Sequence, residues 1–444
     1  MAGQLNNSYE AFRLIFRSFH YRNYRLFFSG QGISLIGTWI QRIATPWLVY
    51  HLTGSAFLLG VVGFAGQFPT FLIAPFAGVL TDRWNRYHIL IATQVAAMIQ
   101  ALLLAVLYLT GNIEVWQVIL LSVFLGIINA FDVPARQSFV IEMVEKKEDL
   151  GNAIALNSSM VTGARLIGPS IAGVLIALTG EGICFLLNGL SYIFVIIALL
   201  MMKVTPRKTP SNPTGIMTAL KEGYQYAAGF APIKYIILLL AMVSLMGMSY
   251  TILMPVFARE ILHGSAHTFG FLMAASGFGA LLAALYLASR KSVLGLGNLI
   301  PLAAGIFGAG LIAFSLSRFF MLSMGLMVIA GFGMMLQMAA SNTLLQTLVD
   351  DDKRGRIMSF YTMAFMGTAP FGSLLAGGLA DVIGAPITLV IGGVTCLAGA
   401  ALFARKLPEL RKIIRPVYIK MGIIPEEVLS GIHSASELSI PPEE

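Results

Sequence analysis

Twelve runs of apolar residues, each of membrane length, occupy most of the 444-residue chain and leave it few alternatives. They cover roughly 26–50, 56–80, 89–110, 115–133, 152–178, 183–203, 235–258, 268–289, 298–316, 319–345, 357–383 and 386–404. A helix rises about 1.5 Å per residue, so about 20 residues cross a hydrocarbon core about 30 Å thick. Barrel strands would be shorter and would alternate apolar with polar residues, which these runs do not. Composition agrees: 57% of residues are hydrophobic and 11% charged, where a soluble protein carries about 25% charged residues. The expected fold class is an all-α membrane protein of twelve transmembrane helices.

Lys and Arg resist translocation, so their placement sets orientation. With the N-terminus in the cytoplasm, 25 of the 29 Lys and Arg lie on the inner side, and the outer loops hold only Arg259 and Arg318. Both termini are therefore expected in the cytoplasm, with the chain in the inner cell membrane. Residues 1–25 are polar and basic, with Arg13, Arg17, Arg22 and Arg25, and no small-residue cleavage site follows the first run. A retained helix is expected there, not a cleaved leader. The net charge of +8 reflects this topology and anionic lipid headgroups, not nucleic acid. Cys184 and Cys396 show no disulfide or metal spacing.

The polar stretch 204–234, with Pro206, Pro210, Pro213 and Lys221, reads as a cytoplasmic linker with one short surface helix. It divides an N-terminal six-helix half, 26–203, from a C-terminal half, 235–404; segments 1–25 and 405–444 are cytoplasmic. The halves resemble each other. Gly54-Ser55-Ala56 recurs as Gly264-Ser265-Ala266, and Gly60 as Gly270, at an offset of 210. At an offset of 204, Gly151, Gly163, Gly168, Gly173 and Gly180 match Gly355, Gly367, Gly372, Gly377 and Gly384. Such a duplication is a transporter architecture, with substrate held between the halves near the midplane.

The loop after the second run reads Gly78-Val79-Leu80-Thr81-Asp82-Arg83-Trp84-Asn85-Arg86. It resembles the loop signature of the major facilitator transporters. Gly78 would allow close helix approach, Asp82 would sit at the positive N-terminus of a helix from the other half, and Arg83 and Arg86 would pair with acids. Asp132 and Arg136, four residues apart, are expected to complete this cytoplasmic latch. Two departures stand out: Asn85 replaces the usual glycine, and the second-half counterpart, Ala288-Ser289-Arg290-Lys291, lacks the acid. In the fifth run, Gly163, Gly168-Pro169 and Gly173 are similar to the glycine–proline packing motif of exporters in that superfamily.

Further stretches narrow the resemblance: Asn129-Ala130-Phe131-Asp132-Val133-Pro134-Ala135-Arg136-Gln137, Leu156-Asn157-Ser158, Arg165-Leu166-Ile167-Gly168-Pro169, Trp39-Ile40-Gln41-Arg42 and Trp47-Leu48-Val49-Tyr50. Over about residues 20–425 the chain resembles the enterobactin-exporter-like branch, with macrolide efflux proteins as nearby relatives. The resemblance implies a secondary transporter of the major facilitator fold that exports siderophore-like or drug-like molecules by alternating access, with protons as coupling ion.

Charges inside a membrane are costly and usually functional. Arg42 and Arg165 lie deep in the first and fifth runs. The first carries a polar stripe of Gln31, Ser34, Thr38, Arg42 and Thr45; the fifth carries Ser158, Thr162 and Arg165. One polar face on an apolar helix should line water or a polar neighbour. The expected substrate surface comprises Gln31, Thr38, Gln41, Arg42, Asn157, Thr162, Arg165 and Gln337. Fourteen of the 22 methionines lie between residues 235 and 383, including Met334, Met335 and Met338, and suit either core packing or a soft apolar wall. Motifs of hydrolases, metalloproteases and nucleotide phosphate sites are missing from the sequence, and His263 and His267 sit at a turn. No enzyme activity, cofactor or metal is expected; the partners are a small-molecule substrate and the lipid bilayer. An uptake or lipid-moving facilitator, or a membrane sensor of the same fold, is the alternative.

Overall fold

In a computed structural model of the chain, every apolar run forms a helix whose ends follow from local chemistry. The structure describes residues 16–203 and 225–421 except 291, 351 and 352, and it leaves out the side chains of 75, 78, 79, 82, 83, 147 and 420. The first six helices are α1 (Arg22–Thr53), α2 (Ala56–Arg83), α3 (Arg86–Leu109), α4 (Val115–Phe139), α5 (Lys147–Thr179) and α6 (Glu181–Leu200). The second six are α7 (Ala231–Ile261), α8 (Ala266–Ser289), α9 (Leu296–Leu316), α10 (Phe320–Leu348), α11 (Arg354–Ile383) and α12 (Ala385–Lys420). Eleven are long and apolar enough to cross a membrane. The twelfth, α1, has 32 residues, and its polar stripe lowers its hydropathy.

Capping explains the tightest connections. Gly54 ends α1 with φ 62°, and Ser55 then starts α2 by accepting a hydrogen bond from the Leu58 amide at 3.3 Å. Asn85 caps α3, its side-chain oxygen accepting from the Tyr87 amide at 3.0 Å. That role accounts for an amide side chain where the signature carries glycine. The α7 and α11 helices are not regular: α7 contains π turns at Val243–Gly247 and Phe257–Ile261, and α11 one at Met363–Gly367. Such turns free backbone carbonyls for side chains, and the Ser244 hydroxyl donates to the Phe365 carbonyl.

The two halves repeat each other in space. In the first, α2 packs on α4, α3 on α4 and α3 on α6; in the second, α8 packs on α10, α9 on α10 and α9 on α12. The halves meet through α2 on α11 and α5 on α8, the same pairing with the halves exchanged. Large apolar side chains such as Leu178, Phe319, Met321 and Val382 point outward, as lipid-facing residues do.

Two sequence boundaries move. The seventh helix begins at Ala231, inside the stretch assigned to the linker. The last helix runs through residue 404 to Lys420, carried by Leu410, Ile414 and Tyr418, which are buried at four-residue spacing. Most of the linker, including its expected surface helix, and the chain end beyond 421 lie outside the described residues.

Candidate functional site: an arginine pair and a gate between the halves

Consecutive helices alternate in direction, so the six short connections at 54–55, 110–114, 180, 262–265, 317–319 and 384 share one end of the molecule, here the far end. The opposite end carries Arg17, Arg86, Arg290, Arg354 and the extension of α12 and is the basic end.

The halves are closed against each other at the far end by two crossings. On α2 and α11, a Cβ at Gly60 would lie 2.6 Å from the Ser373 carbonyl oxygen, and one at Gly377 would lie 2.6 Å from the Ala56 carbonyl oxygen. On α5 and α8, a Cβ at Gly270 would lie 2.5 Å from the Pro169 carbonyl oxygen and 2.8 Å from the Gly173 Cα. Only glycine permits this approach. The four residues are related by the internal repeat, Gly60 to Gly270 and Gly173 to Gly377, so one ancestral contact serves twice.

Polar contacts lock the same end. Asp381, at the end of α11, accepts hydrogen bonds from the Ala56 and Phe57 amides at 3.0 and 3.2 Å. These are the first two N–H groups of α2, which have no partner within their own helix. The Tyr50 hydroxyl donates to the Glu260 carboxylate across the halves, and Trp47 stacks on Phe269 with ring centroids 6.1 Å apart. Glu181, buried beside this gate, accepts from the Tyr108 hydroxyl at 2.6 Å and meets His51 at 3.3 Å.

Arg42 and Arg165 lie 11 and 14 residues from the far ends of α1 and α5. Helix rise places them at about 17 and 21 Å depth. Both sit four residues before a proline inside their helix, Pro46 and Pro169. A proline has no N–H to give the carbonyl four residues earlier, so the helix continues but the arginine's carbonyl lacks its usual backbone donor. The side chains converge on one indole: the Arg42 guanidinium lies 4.8 Å and the Arg165 guanidinium 5.9 Å from the Trp39 ring. Gly168 seats that indole, since a Cβ there would lie 2.4 Å from the Trp39 Cβ. Arg42 is exposed and shares the Trp39 ring with the half-buried Arg165. Trp39 went unrecognised as a site residue, although its place three residues before Arg42 on one helix face was visible.

The expected substrate surface divides. Arg42, Asn157, Thr162 and Arg165 are exposed or half-buried. Gln41 turns instead into the first half: its amide donates to Gln100 at 2.9 Å and accepts from Asn188 at 2.7 Å. The Thr38 hydroxyl donates to the Ser34 carbonyl and meets the Tyr192 hydroxyl at 3.4 Å against α6. Gln31 is buried in α1, and Gln337 is buried in α10 beside Ser341. The stripe on α1 is wider than the open face, and its remainder satisfies polar partners inside the bundle. Met334 is likewise core, whereas Met335 and Met338 are half-buried.

Three members of the expected latch have described partners. Arg86 donates to Glu142 at 3.0 Å. Asp132 is buried, pairs with Arg136 at 3.4 Å, and accepts from Thr93 at 3.1 Å and Gln94 at 2.7 Å on α3. Asp132 thus joins an interior network of α3 and α4, because helix four turns its acid toward α3. The side chains at Asp82 and Arg83, and position 78, lie outside the described residues. In α5, Gly168 and Gly173 make the contacts above, and Pro169 is buried. Gly163 faces open space and packs against nothing within 4 Å. Among the described residues, no three metal-ligating side chains converge.

Comparison with known proteins agrees with this geometry. The family described as transmembrane secretion effector matches residues 16–416. The staphyloferrin A transporter of Staphylococcus aureus is 26% identical over 85% of this chain and 95% of its own length. Macrolide efflux protein A of Streptococcus pyogenes is 22% identical, covering 88% and 98%. The multidrug efflux pump Tap of Mycolicibacterium fortuitum is 22% identical, covering 85% and 93%. Among solved structures, a bacterial homolog of the human lysosomal transporter Spinster, inward-facing and unoccupied, superposes with a TM-score of 0.69 at 15% identity, covering 88% of this chain and 98% of that one. A POT family transporter in complex with 5-aminolevulinic acid superposes at 0.70, with 11% identity and coverage of 88% and 97%. The fold is shared with these two transporters.

Proposed function

The chain belongs to the transmembrane secretion effector family of major facilitator transporters, and from that membership we propose that it exports small amphiphilic molecules, siderophore-like or drug-like, by alternating access. The observation that carries the reading is the asymmetry of the interface. The halves touch through two repeat-related glycine crossings at the far end, while Ser158 and Ser159 of α5, toward the basic end, are exposed. A substrate space closed at one end and open at the other is what a rocking pair of halves provides.

The direction follows from charge. Lys and Arg concentrate at the basic end, which we place in the cytoplasm. The described state is then inward-open, in the cytoplasmic membrane, ready to load from inside. Relatives named for a siderophore, a macrolide and multiple drugs support an efflux role and a substrate of that general size. Protons are the coupling ion we propose, as the resemblance to the enterobactin-exporter-like branch implies.

The test compares small molecules in the culture medium of cells with the gene, without it, and with Gly270→Val. Export predicts a compound that accumulates outside only with the wild-type gene and builds up inside cells carrying either lesion. A compound depleted from the medium by the wild type alone would mean uptake and contradict the reading.

A further inference from the structure

We propose that Arg42, Arg165 and Trp39 form an oxyanion site that takes a carboxylate-bearing substrate; the proposal rests on the exporter reading only for the direction in which that anion moves. Three other arginines of the first half have acidic partners: Arg17 pairs with Asp149 at 3.1 Å, Arg86 with Glu142 at 3.0 Å and Arg136 with Asp132 at 3.4 Å. Among the described residues Arg42 and Arg165 make neither a hydrogen bond nor an ion pair, only their contacts with the indole. An aromatic face offsets part of the cost of a desolvated cation. It satisfies none of the five N–H donors that a guanidinium carries.

The surroundings add positive charge. Each arginine adds a full charge beside the other, and the buried acid of the first half's interior, Asp132, is already engaged by Arg136, Thr93 and Gln94. The two unpaired guanidiniums share one ring, 4.8 and 5.9 Å from its centre, so they lie at most about 11 Å apart, a span that a substrate with more than one carboxylate can cover. Planar guanidinium forks match carboxylate oxygens in bidentate fashion. The close approach of Gly168 to the Trp39 Cβ, 2.4 Å from a Cβ built there, holds α1 and α5 together beside the three groups, and helices positioned in advance lower the ordering cost of binding. A cationic substrate, such as a macrolide bearing a protonated amine, would meet repulsion here.

The experiment needs no identified substrate. The chain has four tryptophans; replacing Trp47, Trp84 and Trp116 by Phe leaves Trp39 as sole reporter in the purified full-length protein. The ratio of iodide to caesium quenching should exceed that of free N-acetyltryptophanamide severalfold, with acrylamide as the neutral reference for access. Adding Arg42→Gln and Arg165→Gln should bring the ratio down to the free value. A ratio at or below the free value in the parent overturns the proposal. If the triple replacement does not fold, Thr162→Cys, one turn before Arg165, reports the same field. Methanethiosulfonates carrying a sulfonate should react faster there than those carrying a trimethylammonium, and equal rates overturn the proposal. Phospholipid-free detergent separates the two sources of oxyanion. Anion preference that citrate suppresses there supports a soluble carboxylate; preference that citrate leaves unchanged but added phosphatidylglycerol suppresses assigns the site to lipid phosphate and overturns the proposal. Failure to find an exported compound would leave every one of these readings intact, so the two proposals fail separately.

Discussion

Removing the Asp381 carboxylate should open the far end of the molecule without unfolding it. Its side chain supplies two hydrogen bonds across the halves, to the Ala56 and Phe57 amides at 3.0 and 3.2 Å, and Ser55 can cap only Leu58. A capping carboxylate contributes about 0.5–2 kcal/mol, with about 0.3–1 kcal/mol of that from the helix dipole at an exposed site. Asp381 is exposed, so water replaces part of what is lost. A net loss of about 1 kcal/mol shifts a two-state ratio about fivefold. Ser373→Cys, buried at the Gly60 crossing, reports the shift through its reaction with a membrane-impermeant maleimide. Cys184 and Cys396 are buried and should stay silent. Asp381→Ala should raise the labelling rate about fivefold from the far side, and Asp381→Asn, which keeps an acceptor but no charge, should fall between. An unchanged rate in Asp381→Ala would refute the role of this cap in closing the gate.

Three other outcomes follow from the same contacts. Gly270→Val should hold the far end apart, because its first side-chain atom would meet the Pro169 carbonyl oxygen at 2.5 Å; Ser373→Cys then labels at a constant high rate and export ceases. Asp132→Asn should cost about 1.5–3 kcal/mol of stability, the worth of hydrogen bonds to a charged group, and the added loss from Arg86→Gln should be independent, since Arg86 bonds to Glu142 instead; thermal unfolding of the two singles and the double measures this. Gln41→Leu should lower the melting temperature by leaving Gln100 and Asn188 short of partners while the iodide preference at Trp39 is unchanged.

Much of the architecture was legible because membrane helices announce themselves by length and apolarity. The repeat glycines carried more than expected: Gly60, Gly173, Gly270 and Gly377 prove to be the two crossings that join the halves. Depth along a helix was readable too, and Arg42 and Arg165 do come together. Azimuth was not. A residue such as Gln41 is one step from Arg42 in sequence, yet 100° around the helix turns it from the open face into a hydrogen-bonded core. Asp132 was assigned by depth to the latch, but its partners Thr93 and Gln94 depend on which helix packs beside it. The gating role of Asp381 was not legible, because capping a helix 325 residues away leaves no local mark.

Reciprocal motion of the two ends is the central claim, and spin-label distances measure it directly. One pair, Phe57→Cys with Val382→Cys, spans the far end between α2 and α11; the other, Ser158→Cys with Thr362→Cys, spans the basic end between α5 and α11, and all four side chains are exposed. Each pair is measured with and without Gly270→Val. Rocking halves predict that the far-end distance lengthens and the basic-end distance shortens in the same sample. A longer far-end distance with an unchanged basic end would contradict alternating access.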